Sequence, residues 1–295
     1  MTQSFLERLN AGEILVADGA TGTNLQTAGL PLGVPPEEWV IDAPEKILAL
    51  HQSFIDAGSD IILTCTFGGT RLRMRDSKYA DQVSEVNCRA VALARQAAAT
   101  RESVLVAGSM GPTGGLMEPF GELTHNQVAD AYAEQAAALA QGGVDLLLLE
   151  TFFALEEATA AIEGVKRVSQ LPLVVSFSYD QGTRTMMGTS PTQVAAAIAP
   201  LEVVAIGANC GKELESMEKN VAELVAQKTG LPLWIKPNAG LPRMDGDRSV
   251  YDLPPEKMGE AAKRFVELGA RIVGGCCGNS PAHVAAIVRA VKMKI

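Results

Sequence analysis

The amino-acid sequence predicts one α/β domain, a single (β/α)8 TIM-type barrel over residues 1–295. Three observations carry that reading. Short β-branched runs alternate eight times with longer amphipathic helical stretches. The strand runs are continuously apolar rather than alternating, as in a parallel sheet covered by helices. Eight such units at this length point to a closed barrel rather than an open doubly wound sheet.

In chain order the strands are predicted at 14–17, 60–66, 104–108, 144–150, 173–178, 203–207, 233–237 and 271–274. The helices between and after them are predicted near 44–57, 84–99, 125–141, 154–168, 191–199, 213–228, 255–267 and 281–293. The punctuation agrees. AGSDIIL (57–63), GGVDLLL (142–148) and LGARIVG (268–274) each end a helix on Gly and then enter a strand. Gly accepts the left-handed backbone that closes a helix. Thr124 with Gln127 has the spacing of a capping box, and Ser280-Pro281 supplies an N-cap followed by Pro at the first helical position. No linker, low-complexity tract or solenoid repeat interrupts the chain.

Composition narrows the class. The chain is 47% hydrophobic but only 5% aromatic, which suits a barrel packed by branched aliphatics inside Ala-rich helices. Net charge is −9 and no Lys/Arg stripe stands out, so no nucleic-acid footprint is expected. No apolar run reaches the ~18–20 residues of a membrane span. MTQSFLERLNAGE at the N-terminus lacks the apolar stretch and cleavage site of a signal peptide, so the expected compartment is the cytoplasm, away from membranes. The cysteines number five, two of them adjacent; in that compartment a cluster of this kind binds metal or reacts more often than it forms disulfides.

Every unusual motif falls just after a predicted strand. They are DGATGT (18–23), TCTFGGT (64–70), SMGPTGG (109–115), Glu150-Thr151, NCG (209–211), KPNAGLP (236–242) and GGCCGN (274–279). In a barrel these loops share one rim, where barrel enzymes place their chemistry. Gly-rich turns follow parallel strands in any case, but that does not account for three cysteines and two acids on the same rim.

Cys276 and Cys277 are the sharpest signal. Neighbours in a regular strand point to opposite faces, so both can meet one ion only if the backbone leaves strand geometry, which Gly274, Gly275 and Gly278 permit. Cys210, two strands away, offers a third thiolate. Three thiolates at ~2.3 Å hold Zn²⁺ and leave its fourth position open, the catalytic rather than the structural arrangement. Such a site suits attack of a substrate thiolate on an activated methyl group. Cys65, at a strand end, and Cys88, mid-helix, read as small packed side chains.

These segments resemble the homocysteine S-methyltransferase family, most closely its cobalamin-dependent methionine synthase branch. The resemblance rests on DGATGTNLQ (18–26), GPTGG (111–115), LLET (148–151), GANCG (207–211), PNAGLP (237–242) and GGCCGNSPAH (274–283), so it runs almost from end to end. It implies Cys210, Cys276 and Cys277 as zinc ligands, and Asp18 and Glu150 as the acids that bind the substrate amino acid. It also implies that the backbone after Asp18 receives the carboxylate. The residues support those roles: an ammonium needs acceptors, and the turn Gly19, Ala20, Thr21, Gly22, Thr23 can expose N–H groups as an anion nest. Asn209 either orients the substrate or shapes the turn beside Cys210. Cys65 stands where cobalamin-dependent relatives commonly have Asn.

The methyl donor is left open. The resemblance favours methylcobalamin carried by a separate corrinoid protein; a small donor such as S-methylmethionine or a betaine is the alternative. Two other classes also stay open. One is a phosphate-binding barrel aldolase or isomerase with incidental cysteines and Lys236 as base or Schiff-base residue. The other is a non-catalytic zinc-bearing subunit that docks a partner.

Overall fold

The computed structural model describes residues 3–245 and 248–292. Eight parallel strands form the barrel: β1 (Leu15–Val16), β2 (Ile61–Leu63), β3 (Leu105–Met110), β4 (Leu146–Phe152), β5 (Leu173–Phe177), β6 (Ala205–Cys210), β7 (Leu233–Pro237) and β10 (Ala270–Val273). The hairpin strands β8 (Pro242–Asp245) and β9 (Arg248–Tyr251) stand apart as an antiparallel pair. In the sheet the strands run β1-β10-β7-β6-β5-β4-β3-β2, and the bridge from Ala17 to Ile61 brings the two edges together. The closure is narrow because β1 has only two residues. The Asp60 carboxylate widens it by accepting the Val16 N–H at 2.7 Å.

Side chains alternate along the strands as the pleat requires. Leu15, Ile61, Leu63, Leu105, Ala107, Leu146, Leu148, Val174, Trp234 and Ile272 fill the barrel interior, together with Phe5 from the N-terminal helix Phe5–Asn10. The intervening residues, among them Val16, Ile62, Val106, Leu147, Val175 and Ile235, pack outward against the helices. This is why the strands read as continuous apolar runs. Trp234 fits because Gly207 opposite it has no side chain: a Cβ there would collide with the Trp234 carbonyl and lie 2.9 Å from its Cβ. Gly207→Ala should therefore cost about 1–3 kcal/mol or more of stability, read as a lowered denaturation midpoint, since backbone cannot yield as a side-chain tip can.

The helices fall where the periodicity places them, from Pro44–Asp56 to Pro281–Lys292. Gly58, Gly143 and Gly269 at the three helix-to-strand junctions all have positive φ (103°, 91° and 122°). Thr124 and Gln127 form the reciprocal capping box. At the last helix the Ser280 carbonyl accepts from the His283 and Val284 N–H groups, but its hydroxyl meets His283 Nδ1 at 2.9 Å instead of a backbone amide. The helices Phe5–Asn10 and Gly22–Thr27 and the β8–β9 hairpin lie outside the predicted elements. No helix among the described residues is long and apolar enough to cross a membrane.

Candidate metal and amino-acid site

Cys210 ends β6, and Cys276 and Cys277 lie in the turn that follows β10; the sheet order places β7 between those strands. The turn abandons strand geometry at once. Cys276 N–H still donates to Pro237 O (2.8 Å), but Asn279 then folds back, donating through Nδ2 to Pro237 O (3.0 Å) and Cys276 O (3.1 Å). The Asn279 side chain occupies the space that a Cβ on Gly275 would need, and Gly278 has φ 79°. Both neighbouring thiols are thereby turned the same way. Cys210 and Cys276 Sγ are 3.0 Å apart, and all three sulfurs lie within 4.8 Å of one another, half-buried.

Cys210 reaches the cluster in a left-handed conformation, φ 59°, and Thr151 at the end of β4 has φ 67°. Non-glycine residues hold such angles only where the surroundings impose them. Here the Asn209 amide does so. Its Oδ1 accepts from the Thr151 N–H (2.9 Å) and Ser176 Oγ (2.6 Å), and its Nδ2 donates to Thr151 Oγ1 (2.7 Å). The same Nδ2 lies 3.5 Å from Cys210 Sγ and 3.9 Å from Cys276 Sγ. Asn209 is fully buried and is not among the residues lining the cavity.

A cavity of about 580 Å³ opens on the cluster. Its inner wall comprises Gly19, Ala20, Thr21, Gly22, Thr23, Ser109, Glu150, Thr151, Lys236 and the three cysteines. Glu150 is buried, with Oε1 accepting from Ser109 Oγ at 2.5 Å and Oε2 without a partner among the described residues. Its carboxyl is pushed up to about 7 by burial, which the Lys236 charge opposes and the Cys276 charge reinforces.

Asp18 is tied into the wall by two partners. Its Oδ1 is paired with Lys236 Nζ at 2.9 Å, its Oδ2 accepts the Leu63 N–H at 2.7 Å, and it lies behind the cavity wall. Each oxygen thus has one partner and keeps a further lone pair. Lys236, 2% exposed, would lose its proton to burial, but the Asp18 and Glu150 charges outweigh that and hold the ammonium. A lysine held cationic in this way is a poor base or Schiff-base nucleophile, which removes the observation behind the aldolase reading. The turn after Asp18 also differs from a plain loop. Gly22 begins a short helix, and the Ala20 N–H is already spent on Asn279 O at 3.0 Å.

The thiols share their protons unequally. Hydrogen bonds from Cys210 and Cys276 draw Cys277 down, and Cys210 is pushed well up by its bonds to Cys276 and Cys277 and by burial. The first thiolate is favoured by the thiols that donate to it, and each further ionisation is opposed by its charge. Cys65 also lines this cavity but is buried, with its thiol pushed up. Cys88 lies half-buried on its helix, and burial lowers His51 to about 4, leaving it neutral.

Residues 15–291 match the homocysteine S-methyltransferase family. The chain belongs to it. Among its family relatives, the methionine synthases of Mycobacterium leprae and Mycobacterium tuberculosis are both 31% identical, over 95% and 94% of this chain. The match covers only 24% of either relative, so the chain spans about a quarter of their length. A solved family structure, the metallated form of the homocysteine methyltransferase MmuM from Escherichia coli, superposes with TM-score 0.80 at 27% identity, covering 95% of this chain and 96% of that one. Family membership accounts for the motifs at the strand ends. The pairing of Lys236 with Asp18, the Ser109 contact to Glu150 and the Asn209–Thr151 exchange were not read from the sequence. A lysine inside an otherwise apolar strand was the one signal among them.

Proposed function

We propose that this chain transfers a methyl group to the sulfur of homocysteine, giving methionine, at a zinc ion held by Cys210, Cys276 and Cys277. The observation that carries the reading is the convergence of three thiols on a cavity whose inner wall also presents a buried acid, Glu150. The donor set fits the ion: tetrahedral zinc with Zn–S ~2.3 Å requires sulfurs about 3.8 Å apart. With one pair at 3.0 Å and all three within 4.8 Å of one another, the sulfurs reach that spacing by shifts of about an ångström. When bound, zinc supplies a lowered thiol pKa and, shared among three anionic sulfurs, leaves the substrate sulfur nucleophilic.

The chain's own residues do the rest. Glu150 Oε2 accepts the substrate ammonium, and the unspent backbone amides of Gly19, Thr21, Gly22 and Thr23 receive its carboxylate. Asn209 keeps Cys210 and Thr151 in their strained conformations. Asp18 acts at one remove, fixing Lys236 beside Glu150 so that the acid stays ionised in a dry wall.

For the donor, a methyl-corrinoid on a separate protein is supported by exposed apolar side chains on the rim loops: Phe67, Leu116, Phe120, Met187, Leu241 and Met244. Solvent-facing apolar groups gathered at one end of a molecule mark a docking surface. One observation favours a small donor instead. The outer cavity is lined by Pro35, Pro36, Glu37, Phe67, Arg73 and Met74, leaving room beside a four-carbon amino thiol. A screen of methylcobalamin, S-methylmethionine and glycine betaine with homocysteine on the zinc-loaded protein separates the two. No turnover with any of them would favour a docking subunit.

Protein purified without chelator should carry about one zinc per chain. X-ray absorption at the zinc edge should show three sulfurs and one lighter atom, changing to four sulfurs when homocysteine is added. An active preparation free of metal would refute the mechanism.

A further inference from the structure

We propose that the outer cavity seats a small zwitterionic methyl donor, its onium centre beside Glu37 and its carboxylate on the Arg73 guanidinium. The inference rests on the small-donor reading above and deepens it, by naming the two residues that select the donor.

Glu37 belongs to the short turn Pro36–Glu38 in the connection after β1, and Arg73 to the helical turn Arg71–Met74 after β2. The two side chains meet over Gly68. A Cβ there would stand 3.2 and 3.3 Å from the Glu37 carboxylate oxygens and 3.2 Å from Arg73 Cγ. Glu37 is only 4% exposed, yet it lines the cavity. Its Oε1 accepts the Gly68 N–H at 2.6 Å, and its Oε2 has no hydrogen bond among the described residues. Burial pushes the carboxyl up, opposed by the Gly68 N–H and the Arg73 charge. A buried acid in that position is stabilised by a cation brought beside it.

Arg73 is exposed and lines the cavity from its solvent side, and its guanidinium has no hydrogen bond or ion pair among the described residues. The Arg73 N–H donates to Thr70 Oγ1 at 3.2 Å, and the guanidinium lies against Gly114, in the space a side chain there would take. Its planar fork of donors matches a carboxylate. Phe67, whose ring fills the space beside Gly111, borders the same chamber and offers an onium an aromatic face. Acid and guanidinium are not paired with each other, so the chamber is complementary to a ligand that carries both charges.

The transfer itself asks for such a ligand. A methyl group passes to a thiolate readily from an onium centre, because the leaving group then departs neutral. The electron pair of the thiolate forms the new carbon–sulfur bond. The electrons of the broken bond stay with the departing thioether or tertiary amine. The donor thus loses the positive charge that held it beside Glu37, which favours its release.

The test is calorimetric titration of the zinc-loaded protein, without homocysteine, using glycine betaine as the smallest zwitterion of this kind. Two analogues each lack one charge: choline lacks the carboxylate, and 3,3-dimethylbutyrate lacks the cation. The wild type should bind betaine more tightly than either, by about ten- to a hundredfold. Arg73→Gln should erase the preference over choline, and Glu37→Gln the preference over 3,3-dimethylbutyrate, with homocysteine affinity and zinc content unchanged. Should Glu37→Gln fail to fold, the Arg73 arm decides alone. A protein that takes up homocysteine but not betaine would overturn the inference and leave the methyltransferase reading standing. An Arg73→Gln variant that keeps its preference for betaine, or loses homocysteine affinity as far, would overturn it too. Betaine binding that depends on Arg73, with no methyl transfer to homocysteine, would support the site and overturn the function.

Discussion

Cys276→Ala is expected to reduce methyl transfer to background and to strip the protein of its metal. Structural zinc sites contribute roughly 10–16 kcal/mol of binding free energy, so removing one of about four ligands costs on the order of 3–4 kcal/mol, several hundredfold in affinity. The loss of activity should be larger still. Without the ion the substrate thiol keeps its ordinary pKa of ~8.5 and is neither ionised nor held at neutral pH. Cys210→Ala and Cys277→Ala should behave alike, because the three sulfurs form one group within 4.8 Å. Cys65→Ala and Cys88→Ala are the controls. Cys65 is packed with Leu25, Val40 and Met74, and Cys88 Sγ faces the Ala138 carbonyl at 3.4 Å on a neighbouring helix; neither touches the cluster. Both variants should retain most activity and all of the metal, by metal analysis and a homocysteine methylation assay. If Cys65→Ala is as inactive as Cys276→Ala, the ligand set is wrong.

The contrast between those cysteines was legible because the relevant physics is local. A vicinal pair among glycines at a strand end has few other uses, and strand ends on one rim follow from the alternation of elements. The same locality made the barrel legible. Buried parallel strands spell themselves as apolar runs, and Thr124 and Gly143 mark the two ends of the helix His125–Gly142. Where an element depends on distant partners, the sequence carries little. Lys236 and Asp18 are 218 positions apart and meet only because β1 and β7 flank β10. That meeting gives Asp18 a buried counter-ion that its motif does not announce. The β8–β9 hairpin is held by Tyr251 on Gly278 and Leu253 on His283, contacts that no local spelling announces. The N-terminal helix did have a signal, since Ser4 and Glu7 form a capping box, and its Phe5 plugs the barrel.

Glu150→Gln separates the substrate reading from the metal reading. Gln keeps the length and the hydrogen-bonding span of the side chain, and its amide can still meet Ser109, so the wall should hold its shape. What disappears is the charge opposite the substrate ammonium. A charge-assisted hydrogen bond contributes about 1.5–3 kcal/mol, so homocysteine affinity should fall roughly ten- to a hundredfold while zinc content stays constant. A thiol without the amino group, 3-mercaptopropionate, should be handled alike by wild type and variant, because the lost interaction has no partner in it. The pH dependence gives a second arm. With the carboxyl at about 7 in the metal-free cluster, and lower once a cation offsets the Cys276 charge, Glu150 is ionised above that point and neutral below it. The wild type's preference for homocysteine over 3-mercaptopropionate should therefore shrink as pH falls through that value. In the Gln variant it should be small and flat, the ionisation of the thiol being common to both proteins and cancelling in the comparison. Loss of zinc from the variant, or an equal loss of activity toward both thiols, would make Glu150 a structural acid, and the acceptor need not then be an amino acid.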